Sequence, residues 1–441
     1  MANNTSLNTR NLVIYEIYVR NYGPHGTFLD VEEDLERIQS LGVDFIWLMP
    51  IQPIGKLNRK GSLGCPYSIV DYRKVNPEYG TIDDFKHLIE KAHANGLKVM
   101  IDVVFNHTAH DSVLIQEHPD WFHQDKNGNP ISTITEWTDV IDLKHPNPEL
   151  TRYLIDSLIY WVEIGVDGFR CDVASFLPLE FWLQAREEVA RIKTSVVWLA
   201  ESIPPIFVGV RRRTNLIGMS DSELFRAFDI CYDYDIFPVW QSVVQGKLPV
   251  SRYIELLRLQ ECIYPTNYAK LRFVENHDQD RIMQITQSKS SALAWTAFSA
   301  FIKGPWLIYA GQESGTTHRP SLFDVDKISW DNYDLSDLIS RLAKIKKNPA
   351  MTDGNIYWLS DDNVVQATWL SNYQGLYGIF NTTGEKKVIK IQVPDGNYKN
   401  LISDESIIVE KGMMTAPNTA TIFHYIANEL PIEVESSLFP F

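Results

Sequence analysis

The sequence predicts a closed (β/α)8 barrel with a small inserted subdomain after its third strand and an antiparallel β domain at its C-terminal end. Three observations carry this. A helix–glycine–apolar-strand rhythm recurs in the first part of the chain. Five further apolar segments bring the strand count to eight. After Pro349 the rhythm gives way to short strand-like runs separated by turn residues. Eight parallel strands with crossover helices close naturally into a barrel of roughly 250 residues.

In the first unit of the rhythm Asp30 is placed to cap a helix with Val31, Leu35, Ile38 and Leu41 on one face, Gly42 stops it, and VDFIWLM follows. Thr81 and Asp84 have capping-box spacing; Ile82, Phe85, Leu88, Ile89 and Ala92 form the stripe, then come Gly96 and LKVMIDVVF. Asn147 and Pro148 open the third helix, lined by Leu150, Leu154, Leu158 and Trp161; Gly165 ends it before VDGFRCDV. Each glycine suits the left-handed position that follows a helix. Each strand is apolar at nearly every residue, as expected of parallel strands covered on both faces. LVIYEIYV precedes these units; VVWLAES, AFDICYD, KLRFVENHD and PWLIYAGQE follow them, AFDICYD being the weakest. An open doubly wound sheet would ordinarily carry a glycine-rich first turn, and no GxGxxG follows the first strand.

The segment 107–141 is too long for an ordinary strand-to-helix loop. Its His, Asp, Asn and Pro content (HPDWFHQDKNGNPIS) marks it as the insertion. The expected division is therefore a catalytic barrel over 1–106 and 142–349, an inserted subdomain over 107–141, and a C-terminal β-sandwich domain over 350–441, where VVQATWL, GLYGIF and KKVIKIQV read as strands.

Among the 441 residues, 41 Lys and Arg stand against 56 Asp and Glu, a formal net charge of −15. That balance argues against a nucleic-acid partner and an anionic membrane surface. No apolar run approaches the roughly 18 residues of a membrane span. The start, MANNTSLNTRN, is polar and lacks an apolar signal core, and Cys65, Cys171, Cys231 and Cys262 show no CxxC spacing. The expectation is a cytoplasmic protein with reduced thiols.

Function in such a barrel sits at the C-terminal ends of the strands. There the third strand offers Asp102, Asn106 and His107; the fourth, Arg170 and Asp172; the fifth, Glu201; the seventh, Glu275, Asn276, His277 and Asp278. Neighbouring strands lie about 4.8 Å apart, so Asp172 and Glu201 would face each other near the roughly 5–5.5 Å used by retaining glycosidases. One carboxylate would attack an anomeric carbon while the other protonates the leaving oxygen and later activates water. Arg170 lies on the same strand face as Asp172 and would hold it ionised. Taken singly, these acids read as caps or solvated charges, and the His107/His110 spacing is weak for a metal; their joint placement carries the inference.

The motifs closely resemble those of the α-amylase superfamily, glycoside hydrolase family 13. DVVFNH (Asp102 to His107), GFRCDVAS (Gly168 to Ser175), LAES (Leu199 to Ser202) and FVENHD (Phe273 to Asp278) resemble its four conserved regions. PYSIVDYRKVNPEYGT and IDLKHPNP resemble two further family segments, all in family order. The resemblance implies Asp172 as nucleophile, Glu201 as general acid/base and Asp278 as a third carboxylate that stabilises the distorted sugar. It implies His107, Arg170 and His277 as sugar ligands, Tyr67 as a stacking ring and Asp102 as a supporting residue. One aromatic face with several polar groups suits a sugar ring.

Two departures matter. Many family members carry a Lys-His pair where this chain has Ser175 and Phe176, which affects acceptor-side contacts and a residue linked to a structural calcium. Asn106 matches another calcium-associated position, so it is a candidate ligand, but the expectation is that no cofactor, calcium included, is required. The first strand begins early, so the N-terminal β module of branching, debranching or cyclodextrin-cleaving relatives is not expected. The expected function is retaining hydrolysis of α-1,4-glucosidic bonds in starch-like glucans or maltooligosaccharides. The rivals are a 4-α-glucanotransferase or other transglycosylase, an α-1,6 or disaccharide glucosidase, and a non-catalytic amylase-like binding subunit.

Overall fold

The computed structural model of the chain describes residues 5–434. The ends of the expected first and last domains, residues 1–4 and 435–441, lie outside the described residues. The chain divides into two compact units, one built mainly from Ile14–Tyr232 with Arg319–Ser329, the other from Thr5–Val13, Asp233–His318 and the segment from Trp330 onward.

The first unit holds β1 (Val13–Ile17, from Ile14), β2 (Phe45–Leu48), β3 (Lys98–Val103), β6 (Gly168–Cys171), β7 (Val197–Ala200) and β8 (Ile230–Tyr232); the short strands β4 (His107–Ala109) and β5 (Val140–Asp142) lie between β3 and β6. The six longer-range partners run parallel in the order β1-β2-β3-β6-β7-β8. Ile14 pairs with Phe45, Asp102 with Arg170, Cys171 with Ala200, and Ala200 with Cys231. Almost every strand residue is buried, because helices cover the outer face and neighbouring side chains fill the inner one.

Helix Ile82–Ala94 starts on the expected capping box: the Thr81 hydroxyl accepts from the Asp84 N–H at 3.2 Å, and the Asp84 carboxylate accepts from the Thr81 N–H at 2.7 Å. Asn147 caps helix Pro148–Ile164 through the N–H groups of Glu149 and Leu150. Gly42, Gly96 and Gly165 take the left-handed backbone after their helices, with φ of 84°, 75° and 124°. The first helix differs from expectation. Asp30 is not its cap but the third residue of a box opened by Thr27, in helix Phe28–Glu32, and a second helix, Leu35–Ser40, follows. The Asp30 carboxylate accepts N–H bonds from His25, Gly26 and Thr27, so it closes the preceding turn as well.

The insertion is closed by β4 and β5, which pair antiparallel with His107 opposite Asp142. Asp142 therefore belongs to the closing ladder, one residue beyond the expected limit of 141.

The second unit holds β9 (Lys270–Leu271) and β10 (Trp306–Tyr309). Arg272 bridges Trp306 in parallel, and the Trp306 N–H donates to the Leu12 carbonyl at 2.8 Å. The parallel strands of the two units are those of a (β/α)8 barrel. KLRFVENHD is thus regular strand over only its first residues, because the chain turns into a hydrogen-bonded loop after Arg272.

The remainder of the second unit is β11 (Asn355–Ser360), β12 (Val364–Ser371), β13 (Gln374–Asn381), β14 (Lys387–Lys390), β15 (Gly396–Lys399), β16 (Ser406–Val409), β17 (Met413–Ala416) and β18 (Ala420–Ile426). A four-stranded antiparallel sheet, β11-β12-β13-β18, accompanies the two-stranded ladders β14-β17 and β15-β16. Ile379, Ile389, Ile391, Val409, Met414 and Phe423 belong to their shared core. The sheet is keyed to helix Lys289–Phe301: the Trp369 indole donates to the Phe301 carbonyl at 2.8 Å, and the Phe380 ring lies 5.0 and 5.2 Å from Phe298 and Phe301. Gly375 is obligatory here, since a Cβ would fall 1.9 Å from the Tyr425 ring that crosses it.

Candidate active site

Each site is set by where a strand ends. Asp102 is the fifth residue of β3, Arg170 the third of β6, and Asp172 and Glu201 directly follow β6 and β7. Because Cys171 pairs with Ala200, the next residues along, Asp172 and Glu201, stand side by side; the Glu201 N–H donates to the Cys171 carbonyl at 3.0 Å.

Arg170 organises these acids. Its Nη1 donates to Asp172 Oδ1 at 2.9 Å and to Asp102 Oδ1 at 3.0 Å, its Nη2 lies 3.0 Å from Glu201 Oε2, and its Nε donates to the Tyr232 hydroxyl at 3.3 Å. The guanidinium also faces the rings of Trp47, Tyr67 and Tyr232 at 5.3–5.5 Å. Burial alone would lower its pKa; the charges of Asp102 and Glu201 overcome that and carry it well above the ordinary value. Arginine at this point is a permanent cation, and its planar fork lets one side chain position several acids.

The Val173 N–H donates to Glu201 Oε2 at 2.7 Å, and the Tyr67 hydroxyl to Asp102 Oδ2 at 3.1 Å. His107 Nε2 lies 4.0 Å from Asp172 Oδ2. Burial lowers the His107 pKa against the opposing pull of Asp142, Asp139 and Glu201, which favours a neutral imidazole able to both donate and accept. Asp102 is fully enclosed, while Asp172 and Glu201 keep 7% and 8% exposure. The structure thus brings together six of the sequence-derived residues: Tyr67, Asp102, His107, Arg170, Asp172 and Glu201.

His277 and Asp278 belong to the second unit, in the loop after β9. His277 Nε2 lies 3.1 Å from Asp278 Oδ2. Asn276 Oδ1 accepts from the N–H groups of Asp278 and Gln279 at 2.9 and 3.0 Å, and its amide donates to the Tyr234 hydroxyl at 3.1 Å. Glu275 is turned to structural use: it pairs with Arg281 at 2.7 Å and accepts the Ile282 N–H. The Asp278 side chain is 41% exposed.

Three participants were not identified from sequence. Trp47 reads there as ordinary core, Tyr232 lies in the weakest strand segment, and Arg211 is one of three consecutive arginines with nothing to distinguish it. Arg211 bears on the calcium question. Its guanidinium lies 3.5 Å from the Phe176 ring centroid, and Asp142 acts on its charge; burial, the larger effect, lowers its pKa to about 10. Arg211 and Phe176 line one small cavity with Asn106 and Asp142. The Asp142 oxygens already accept from the Ser132 hydroxyl and from the N–H and hydroxyl of Thr133, while the Asn106 amide lies 3.2 Å from His107 Nδ1. Calcium takes about six to eight oxygens. Here one carboxylate is engaged and a cationic side chain is present, so these residues do not fit that ion. No cluster of three or more His, Cys, Asp or Glu suited to a metal exists among the described residues.

Residues 18–195 match the family model of the alpha amylase catalytic domain, and residues 356–423 match that of the bacterial alpha amylase C-terminal domain. The crystal structure of an alpha-amylase from Lactobacillus plantarum superposes with a TM-score of 0.92 at 42% identity, covering 96% of this chain and 100% of that one. The alpha-amylase MalA of Haloarcula japonica is 29% identical over 77% of this chain and 49% of its own length. An alpha-1,4-glucan:maltose-1-phosphate maltosyltransferase of Cereibacter sphaeroides is 30% identical over 75% of this chain and 57% of its own. The chain spans about half the length of these curated relatives. With a full-length structural counterpart at this identity and the strand-end acids gathered on Arg170, the chain belongs to the α-amylase family, glycoside hydrolase family 13.

Proposed function

We propose that this protein hydrolyses α-1,4-glucosidic bonds in starch-like glucans or maltooligosaccharides with retention at the anomeric carbon. The observation that carries this is the pair Asp172 and Glu201, on neighbouring strand ends and held by one buried guanidinium. In the first step an Asp172 oxygen bonds to C1 as the C1–O bond to the leaving sugar breaks, and Glu201 gives its proton to the departing oxygen. In the second, water attacks C1, Glu201 takes its proton, and the Asp172 ester bond breaks. Asp278 is assigned the stabilisation of the positively charged sugar, with Tyr67, His107, Arg170 and His277 as its ligands and Asp102 as support. An aryl maltooligoside followed by proton NMR tests the reading: the α-anomer should appear first, and initial release of the β-anomer would exclude it.

Transglycosylation is the second reading, favoured by the similarity to a maltosyltransferase. A product time course on amylose, maltotriose and isomaltose separates the two: chains longer than the substrate mark transfer, and cleavage of isomaltose alone marks α-1,6 specificity.

The reaction is assigned no calcium and no other cofactor, on the support of Arg211 beside Asp142. Dialysis against EDTA should leave activity and melting temperature unchanged; loss restored by calcium would overturn this. The protein is further placed in the cytoplasm, without nucleic-acid or membrane partners, on the support of its net charge of −15 and of cysteines that form no disulfide among the described residues. No helix among those residues is long and apolar enough to cross a membrane.

A further inference from the structure

Five of the six tryptophans in the first unit, Trp47, Trp121, Trp161, Trp182 and Trp198, are buried in its core. Trp137, in the insertion, is only partly buried. Its ring centroid lies 5.1 Å from that of His107, edge to face, and 6.2 Å from that of Phe176. His107 in turn is 4.0 Å from the Asp172 carboxylate. Trp137 is therefore one side chain away from the proposed nucleophile.

The backbone that carries it is tied on both sides. The Glu136 carbonyl accepts from Lys60 Nζ at 3.2 Å, the Thr138 carbonyl meets His110 Nε2 at 3.0 Å, and the Asp139 carbonyl accepts from the Ser68 hydroxyl at 2.9 Å. Lys60 also pairs with the Asp139 carboxylate at 2.9 Å. Ser68 is the neighbour of Tyr67, so the tether runs directly to the aromatic already placed in the site. A large ring left partly exposed forgoes burial worth up to about 1–3 kcal/mol. Holding such a ring on a fixed backbone beside polar groups is how a protein builds a platform for the apolar face of a sugar. The indole N–H makes no hydrogen bond to any described residue, which leaves it available to a sugar hydroxyl.

We propose that Trp137 is a specificity-determining residue of this site, stacking on a glucose unit next to the one that reacts, so that glucan chains are preferred to single glucosides. The inference rests on the function proposed above and deepens it. It also answers the Ser175 and Phe176 departure. Ser175 is buried, with its hydroxyl accepting the Ile203 N–H at 3.2 Å, and the Phe176 ring is tilted by 34° against that of Trp137.

The test compares Trp137→Ala and Trp137→Phe on maltotetraose and on 4-nitrophenyl α-glucoside. Trp137→Ala should lower kcat/KM for maltotetraose at least about tenfold, mainly through KM, with Trp137→Phe retaining most of it and the single glucoside changed less than about twofold. Equal losses on both substrates would reduce Trp137 to a prop for His107, and no loss would remove it from the site; either overturns the proposal. A second measurement does not depend on turnover. In an Asp172→Asn background, maltotetraose should change the indole emission, and adding Trp137→Phe should abolish that change. Persistence of the change, or absence of binding, also overturns it. Failure of the underlying hydrolase reading would show differently, as undiminished turnover by Asp172→Asn itself.

Discussion

Arg170, on β6 in the first unit, and Arg272, directly after β9 in the second, are both fully buried and both pair with aspartate. Their surroundings differ. Arg272 donates from Nε to the Lys303 main-chain carbonyl, from Nη1 to Asp233 and from Nη2 to the side-chain Oε1 of Gln260, at 2.7–2.9 Å. The Gln260 amide returns bonds to Asp233 and Asp235, and Lys270 and Tyr264 complete Asp235 at 2.8 Å each. In that cluster donors and acceptors answer one another within the protein. Around Arg170, three carboxylates share a single guanidinium. The Arg272 cluster sets Asp233 and Asp235 against two cations, Arg272 and Lys270; the Arg170 cluster sets three acids on one guanidinium. Neither is strong evidence of stability by itself, because desolvation offsets much of the Coulombic gain.

The largest expected effect lies in the Arg170 cluster. Asp172→Asn and Glu201→Gln should each lower turnover of an aryl maltooligoside by several orders of magnitude, roughly 10³-fold or more, with little change in the denaturation midpoint. Near-normal turnover in either variant would remove that residue from its role. The Arg272 cluster should behave the other way. Removing one partner with Asp233→Asn or Arg272→Met should cost about 3–5 kcal/mol in urea unfolding, since it strands a buried charge, while the folded fraction keeps its KM. A wild-type midpoint there would erase the contrast.

A smaller effect comes from a single buried imidazole. Burial lowers the His145 pKa to about 4 from 6.5; its Nε2 meets the Phe105 carbonyl at 3.0 Å, and its Nδ1 has no hydrogen-bond partner among the described residues. The unfolded chain takes up this proton first, so the contribution is intact above about 6.5 and is lost as pH falls toward about 4. His145→Gln should flatten the stability–pH curve in that window by roughly 3 kcal/mol at most; an unchanged slope would show that other groups govern acid unfolding. The smallest effect belongs to local structure. Thr81→Ala should cost about 1 kcal/mol with no change in KM.

The sequence discloses the repeating helix-to-strand units because their signals are local: a cap, an apolar stripe, a glycine stop. The Thr81 box and the turn after Gly165 need only near neighbours. Asp30 is misassigned as a cap because Thr27 competes for that role three residues earlier, and the choice depends on which N–H groups of the preceding turn need an acceptor. Asp172 and Glu201 are legible because strand register follows from the apolar pattern, which places both at the same level on adjacent strands. Arg211 and Trp137 are not. An arginine within Arg211–Arg213 and a tryptophan in a polar insertion look ordinary until the fold sets one on Phe176 and the other beside His107.

By itself, then, the amino-acid order determined the alternation of strand and helix, the strand-end position of each acid and the family motifs, since each depends on spacing along one stretch of chain. Only the tertiary structure decided that Arg170 joins three carboxylates, that Arg211 lies beside Asp142, and that Trp137 stays partly uncovered. Those outcomes depend on side chains from segments far apart in sequence competing for the same space and the same charge, and no local pattern encodes which of them wins.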